Sequence, residues 1–133
     1  VFYSEDKKGC ALVLFPEQKK TGLRSVFFDI KFVITSLGFS NLKKTMARET
    51  KIKSLQIKGK TAYLWYIGVQ PFSQGRGIGT RLMKDVLHAP EIIDRPVLLE
   101  TSNLQNVKWY ENLDFSIYGE LNLGYTLYFM KRQ

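Results

Sequence analysis

Three glycines, Gly75, Gly77 and Gly79, separate an apolar segment, Thr61 to Val69, from an amphipathic one in which Ile78, Leu82, Met83, Val86 and Leu87 recur at helical spacing. No other feature of the 133 residues restricts the fold as strongly. The apolar segment is rich in aromatic and β-branched residues and stops before Pro71, which predicts a strand buried on both faces. A second apolar strand, Pro96 to Thr101, follows the helix. Strand, helix and strand in this order form a right-handed crossover and make the two strands parallel neighbours. The turn also suggests a ligand. Without Cβ atoms the backbone can approach a bound group closely, and the first amides of a helix are unpaired and electropositive. These are the properties of a pyrophosphate cradle.

A tight strand-to-helix turn also needs glycine for structural reasons alone, so spacing has to be tested against known patterns. Two of them fail. After Gly75 and Gly77, a dinucleotide-binding fingerprint requires glycine where Thr80 stands, and a P-loop requires a Gly-Lys-Ser/Thr that is absent.

The remaining elements surround this unit. Cys10 to Phe15 reads as a strand closed by Pro16, Ser25 to Gly38 as an apolar helix, and Ser40 to about Leu55 as a second, basic helix. A helix near Asn103 to Leu113 is followed by a hairpin, Phe115 to Glu120 and Tyr125 to Met130, turning near Asn122-Leu123-Gly124. The expected fold is α+β: one domain over residues 1–133, with a mixed sheet carrying helices on both faces.

Gln74, Gly77 and Gly79, in the spacing Gln-x-x-Gly-x-Gly after a strand ending Gly68-Val69-x-Pro71, resemble the acyl-CoA pyrophosphate loop of the GNAT superfamily of N-acetyltransferases. A second block is similar to the same family: Leu99-Glu100-Thr101-Ser102, then Asn106, then Trp109-Tyr110-Glu111-Asn112-Leu113-Asp114-Phe115. The resemblance covers about Tyr63 to Arg132. It implies layers of helix, sheet and helix, with a mostly antiparallel sheet whose one parallel strand pair splays around the cofactor. Upstream the match is poor, and the family's first strand is either removed here or outside this sequence. Where the family has glycine the chain has Asp114, which predicts a positive φ at that residue.

The resemblance implies an acetyl group moved from acetyl-CoA to a primary amine by direct attack in a ternary complex, with neither a protein nucleophile nor a metal. Ile67, Gly68 and Val69 would pair with the pantetheine arm, and the amides of Gly75, Arg76, Gly77, Ile78, Gly79 and Thr80 would hold the pyrophosphate. Arg76 adds positive charge or is an exposed loop arginine; Gln74 contacts the cofactor or only braces the turn. Asn106 and Tyr110, four apart, share a helix face, so the asparagine can bond the cofactor arm while the phenol protonates the departing thiolate. Glu100, at a strand end, is the candidate base or a salt-bridge partner, with Asp29 and Glu49 as weaker candidates. Tyr63, Trp65 and Tyr66 line an apolar pocket or, the plainer expectation, belong to the core.

Composition excludes other classes. The single cysteine, Cys10, cannot form an internal disulfide, and the single histidine, His88, cannot build a cluster of imidazole ligands. His88 fits a helix end, where the dipole favours it. The longest apolar run, Ser25 to Phe39, is broken by Asp29 and Lys31, so no membrane span and a cytoplasmic location are expected. Twenty basic against 12 acidic residues give +8, and Leu42 to Lys60 carries +6 of it through seven bases and Glu49. No aromatics interleave with these charges, so a solvated helix face is expected rather than a nucleic-acid footprint. A non-catalytic acyl-CoA-binding module is the alternative to an enzyme, with a nucleic-acid-binding domain third. A homodimer stays open.

Overall fold

The computed structural model describes residues 1–18 and 47–133. Among the described residues, six strands form one sheet in the order β1 (Phe2–Tyr3), β2 (Gly9–Leu14), β3 (Ala62–Val69), β4 (Val97–Thr101), β6 (Thr126–Arg132), β5 (Ser116–Asn122). Every neighbouring pair is antiparallel except β3 and β4. The described helices are α1, described over 47–55, α2 (Ile78–Leu87) and α3 (Leu104–Glu111). Among the described residues no helix is long and apolar enough to cross a membrane.

The layers follow from alternation along the strands. On one face, Leu82, Met83 and Val86 of α2 and Val107 and Tyr110 of α3 pack with Ala11, Leu64, Leu99 and Met130. On the other, Ile52 of α1 packs with Leu127 and Phe129, next to half-buried Leu55 and Tyr118. Strand β6 therefore serves both cores, sending Phe129 one way and Met130 the other. Each large apolar side chain so buried contributes about 1.5–3 kcal/mol. Described bases of the basic segment (Arg48, Lys51, Lys53, Lys58, Lys60) are all exposed, the solvated face that their distribution predicts.

The parallel pair is short. Strands β3 and β4 match only at Ala62 with Val97 and Tyr63 with Leu98, while β3 continues beside β2 as far as Val69. From Leu64 onward β3 therefore has a partner on one side only, in the middle of the sheet. Opposite β2, Leu12 pairs with Tyr66 and Val13 with Leu64, which leaves Trp65 as an unpaired bulge residue. The expectation of a strand buried on both faces is corrected here. Ala62 and Leu64 are buried, but Trp65 is 65% and Tyr66 52% exposed. The bulge turns Trp65 outward, and the departure of β4 removes the neighbour that would have covered this half of the strand. Trp65 and Tyr66 are thus not core residues.

Other boundaries shift by one or two residues. Strand β1, only two residues long, has no counterpart in the sequence reading. The helices expected over Ser25 to Gly38 and from Ser40 lie outside the described residues, apart from the second one's end at 55. His88 closes α2, with its Nδ1 2.7 Å from the Lys84 carbonyl. Asp114 has φ 64°, as expected from the glycine that the resembled family has at this place. A non-glycine residue pays roughly 1 kcal/mol for this conformation, aspartate somewhat less. Its carboxylate, 85% exposed and 3.7 Å from Arg132, adds little in return. Asp114→Gly is therefore expected to raise the melting temperature by a few degrees, read by thermal unfolding.

Candidate active site

The open edge of β3 leads into the glycine turn. After Val69 the chain makes a short 3-10 turn, Pro71–Ser73, and Gln74 Nε2 donates back to the Val69 carbonyl at 3.1 Å, so Gln74 braces the loop. Gly75 and Gly77 have φ of +75° and +74°. A Cβ would meet nothing within 4 Å at Gly75, and only Arg81 Nη1 at 3.9 Å at Gly77, so conformation rather than space demands glycine at both. Gly77 caps α2 without a side-chain acceptor, and the first helical bond runs from Arg81 N–H to the Gly77 carbonyl. The amides of Ile78, Gly79 and Thr80 precede that bond and have no intrahelical acceptor. They lie beside exposed Arg76, so backbone dipole and side-chain charge have the same sign.

Two contacts fix this helix end. The Thr80 hydroxyl accepts from Trp109 Nε1 of α3 at 3.1 Å, which commits the side chain, though not the amide, of Thr80 to structure. A Cβ on Gly79 would stand 3.5 Å from Val69 Cγ2, an ordinary contact. Gly68 is different. A Cβ there would fall 2.3 Å from the Tyr66 hydroxyl oxygen, because the Tyr66 ring lies along the strand across it. Any side chain at position 68 would displace that ring.

Helix α3 starts at Asn103, whose side chain accepts from Gln105 N–H at 2.8 Å. Asn106 is exposed, whereas Tyr110, one turn later, is only 6% exposed. The Tyr110 ring packs between Trp109 and Phe115, at centroid distances of 4.8 and 5.5 Å. Burial pushes its phenol up from 10.0 to about 12. The folded state thus holds this proton after the unfolded chain has released it. The stability so gained is complete below pH 10 and is lost as pH rises through about 12. Tyr110→Phe should flatten that part of an alkaline unfolding curve.

Glu100 points to the opposite face of β4, the side of Leu98 rather than Leu99. It accepts from Gln56 Nε2, just past α1, at 2.8 Å, and also from the Tyr63 hydroxyl of β3. Burial and the nearby Glu100 charge raise the Tyr63 phenol above its ordinary range and act on Tyr118 in the same direction. Gln56, Tyr63 and Tyr118 line a cleft of about 1290 Å³, with Glu100 directly behind them. This cluster had no sequence signal, since Gln56 and Glu100 are 44 residues apart. Tyr110 and Glu100 are therefore not neighbours: they stand on opposite sides of the sheet, in which β3 and β4 are unpaired beyond Tyr63 and Leu98. Glu49 is exposed on α1, and Asp29 lies outside the described residues.

A model of the Acetyltransferase (GNAT) family matches residues 35–115, well over half of the chain. The chain belongs to the GNAT acetyltransferase family. Its fold is that of an N-acetyltransferase from Staphylococcus aureus Mu50, with 19% identity and TM-score 0.64 over 99% of this chain and 68% of that one. Arabidopsis thaliana NAA60 in complex with acetyl-CoA is similar at 17% identity and TM-score 0.50, over 96% of this chain and 66% of that one. A histone acetyltransferase HPA2-related protein of Corynebacterium glutamicum gives 21% identity and TM-score 0.50 over 57% of this chain. This GNAT chain spans only 42% of the Corynebacterium protein's length, and about two thirds of the other two. The mixed sheet with one short parallel pair is the GNAT-like α+β architecture.

Proposed function

We propose that residues 1–133 form a single acetyltransferase domain that moves an acetyl group from acetyl-CoA to a primary amine. The observation that carries this reading is the one-sided edge of β3 from Leu64 to Val69, leading directly to the unpaired amides of α2. An extended amide-bearing chain can add to such an edge as a strand does, and a pyrophosphate suits a helix N-terminus. Acetyl-CoA has both parts in that order, and its thioester supplies an activated acyl group. The residues fit it: positive φ at Gly75 and Gly77 holds the turn open, and no side chain occupies the cap.

In this reading Ile67, Gly68 and Val69 align the pantetheine arm through their backbone, helped by Asn106. The amides from Gly75 to Thr80, with Arg76, hold the phosphates. The opening between β3 and β4 brings the thioester from the Tyr110 side toward the Glu100 side. The amine attacks there: its nitrogen bonds to the carbonyl carbon and the carbon–sulfur bond breaks. Glu100, reached through water between Tyr63 and Gln56, takes the proton that the nitrogen loses, and Tyr110 donates toward the departing sulfur. No protein nucleophile is used.

Incubating the protein with acetyl-CoA and a panel of amines while following thiol release tests the reading. Sustained release that requires an amine is the expected result. CoA binding without amine-dependent release would reduce the protein to an acyl-CoA-binding module. Nucleic-acid binding that weakens steeply with salt and is not competed by CoA would assign it to the third class.

A further inference from the structure

Strand β3 leads into α2, whose first amides form the candidate cradle, and β4 leads into α3, which carries Tyr110. The two strands pair only at Ala62 with Val97 and Tyr63 with Leu98, so beyond those residues the sheet ties neither helix to the other. The helices are tied directly instead. Trp109 of α3 donates its indole Nε1–H to the Thr80 hydroxyl of α2 at 3.1 Å, the one side-chain hydrogen bond between these helices among the described residues.

The indole touches both functional ends at once. Its Cζ2 would stand 3.8 Å from a Cβ on Gly79, so the edge that bonds Thr80 lies along two successive residues of the first turn of α2. Its ring centroid is 4.8 Å from that of Tyr110 at a tilt of 51°, and Tyr110 continues to Phe115 at 5.5 Å. Trp109 is half-buried and packs on the core that α2 and α3 share. An indole nitrogen only donates, and a half-buried donor needs an acceptor. Threonine is branched at Cβ and has few χ1 settings in a helix, so a bond to its hydroxyl is a bond to the backbone of the turn. A phenylalanine at position 109 would supply the packing without the bond.

We infer that Trp109 is a positioning residue, which holds the Tyr110 hydroxyl in register with the amides of Ile78, Gly79 and Thr80. The inference rests on the acetyltransferase reading, in which a ligand seated on those amides must meet the phenol at its other end. Misplacement by about 1 Å of groups that must meet can cost 10²-fold in rate. Trp109 acts through Tyr110 and the turn rather than on the reacting atoms. The Thr80 bond carries the position of the turn to α3, and the ring contact carries it to the phenol.

Titration of the full chain with inorganic pyrophosphate, followed by NMR, tests the link without any reaction. The Gly79 amide reports occupation of the turn, and the Tyr110 ring signals, assigned by their loss in Tyr110→Phe, report the far end. Both are expected to shift in wild type. At matched saturation Thr80→Val should keep the Gly79 response and lose more than half of the Tyr110 response, whereas Thr80→Ser, which keeps the hydroxyl, should retain both. A Gly79 response without one at Tyr110, or a Tyr110 response undiminished in Thr80→Val, would overturn the link; no response at Gly79 would overturn the cradle with it. Kinetics with an amine from the panel give the second arm. Thr80→Val and Trp109→Phe should each lower kcat about fivefold, the order of one hydrogen bond, yet cause no further loss in a Tyr110→Phe background, because effects that pass through one group do not add. Equal losses in both backgrounds would make the pair merely structural. Release with no amine, while the NMR responses hold, would overturn the transferase and leave the link.

Discussion

Gly77→Val should weaken CoA binding roughly 100-fold without unfolding the protein, a loss of about two charge-assisted hydrogen bonds. The reason is conformational. Gly77 has φ +74° at the cap of α2, and a Cβ there would be 3.9 Å from its nearest neighbour, so valine meets no obstacle in space. A β-branched side chain is nevertheless strained in the left-handed region. The cap can relieve the strain only by rotating, and rotation turns the amides of Ile78, Gly79 and Thr80 away from a common centre. The rest of the helix is anchored by Leu82, Met83 and Val86 in the core and by the Trp109 to Thr80 hydrogen bond, so the fold survives. Calorimetry with CoA, alongside circular dichroism to show the helix content retained, gives the measurement. Unchanged affinity in a folded Gly77→Val protein would move the cradle elsewhere.

That turn was legible in the sequence because everything that defines it is local. A strand, its stop at Pro71, three glycines and an amphipathic helix all lie within Thr61 to Leu87, whereas the positive φ at Asp114 was readable only through the resemblance to a family that has glycine there. What depends on neighbours was not legible. Trp65 and Tyr66 have the composition of a buried strand, yet they are exposed because β4 parts from β3 after Tyr63, and one strand's residues do not reveal where its partner leaves. Strand β1 is too short for any period to register. The candidate base shows the same division. Its place at the end of a strand was readable, but its ties to Gln56 and Tyr63 arise only when three separate elements meet.

Tyr110→Phe should lower kcat on the order of 10², the low end of what general acid catalysis contributes, with CoA affinity and stability at neutral pH nearly unchanged. Packing predicts the second half of this result. The ring keeps its contacts with Trp109 and Phe115, and its hydroxyl has no partner among the described residues to leave unpaired. The phenol's acidity sets the first half. With its pKa at about 12 the hydroxyl is fully protonated at neutral pH, yet it is a weaker acid than an ordinary thiol, whose pKa is about 8.5. Complete proton transfer to a thiolate is then uphill by several kcal/mol, so the hydroxyl acts chiefly as a hydrogen-bond donor while charge develops on sulfur, and solvent completes protonation afterwards. A donor of that kind lowers the barrier by less than full transfer would, and its effect should be flat from pH 7 to 9, because neither state of the enzyme changes its tyrosine proton there. The test is kcat of the Phe variant with an amine identified in the panel, measured across that range beside the CoA dissociation constant. Full activity would leave water as the sole donor, and a parallel loss of binding and turnover would make Tyr110 a packing residue of α3.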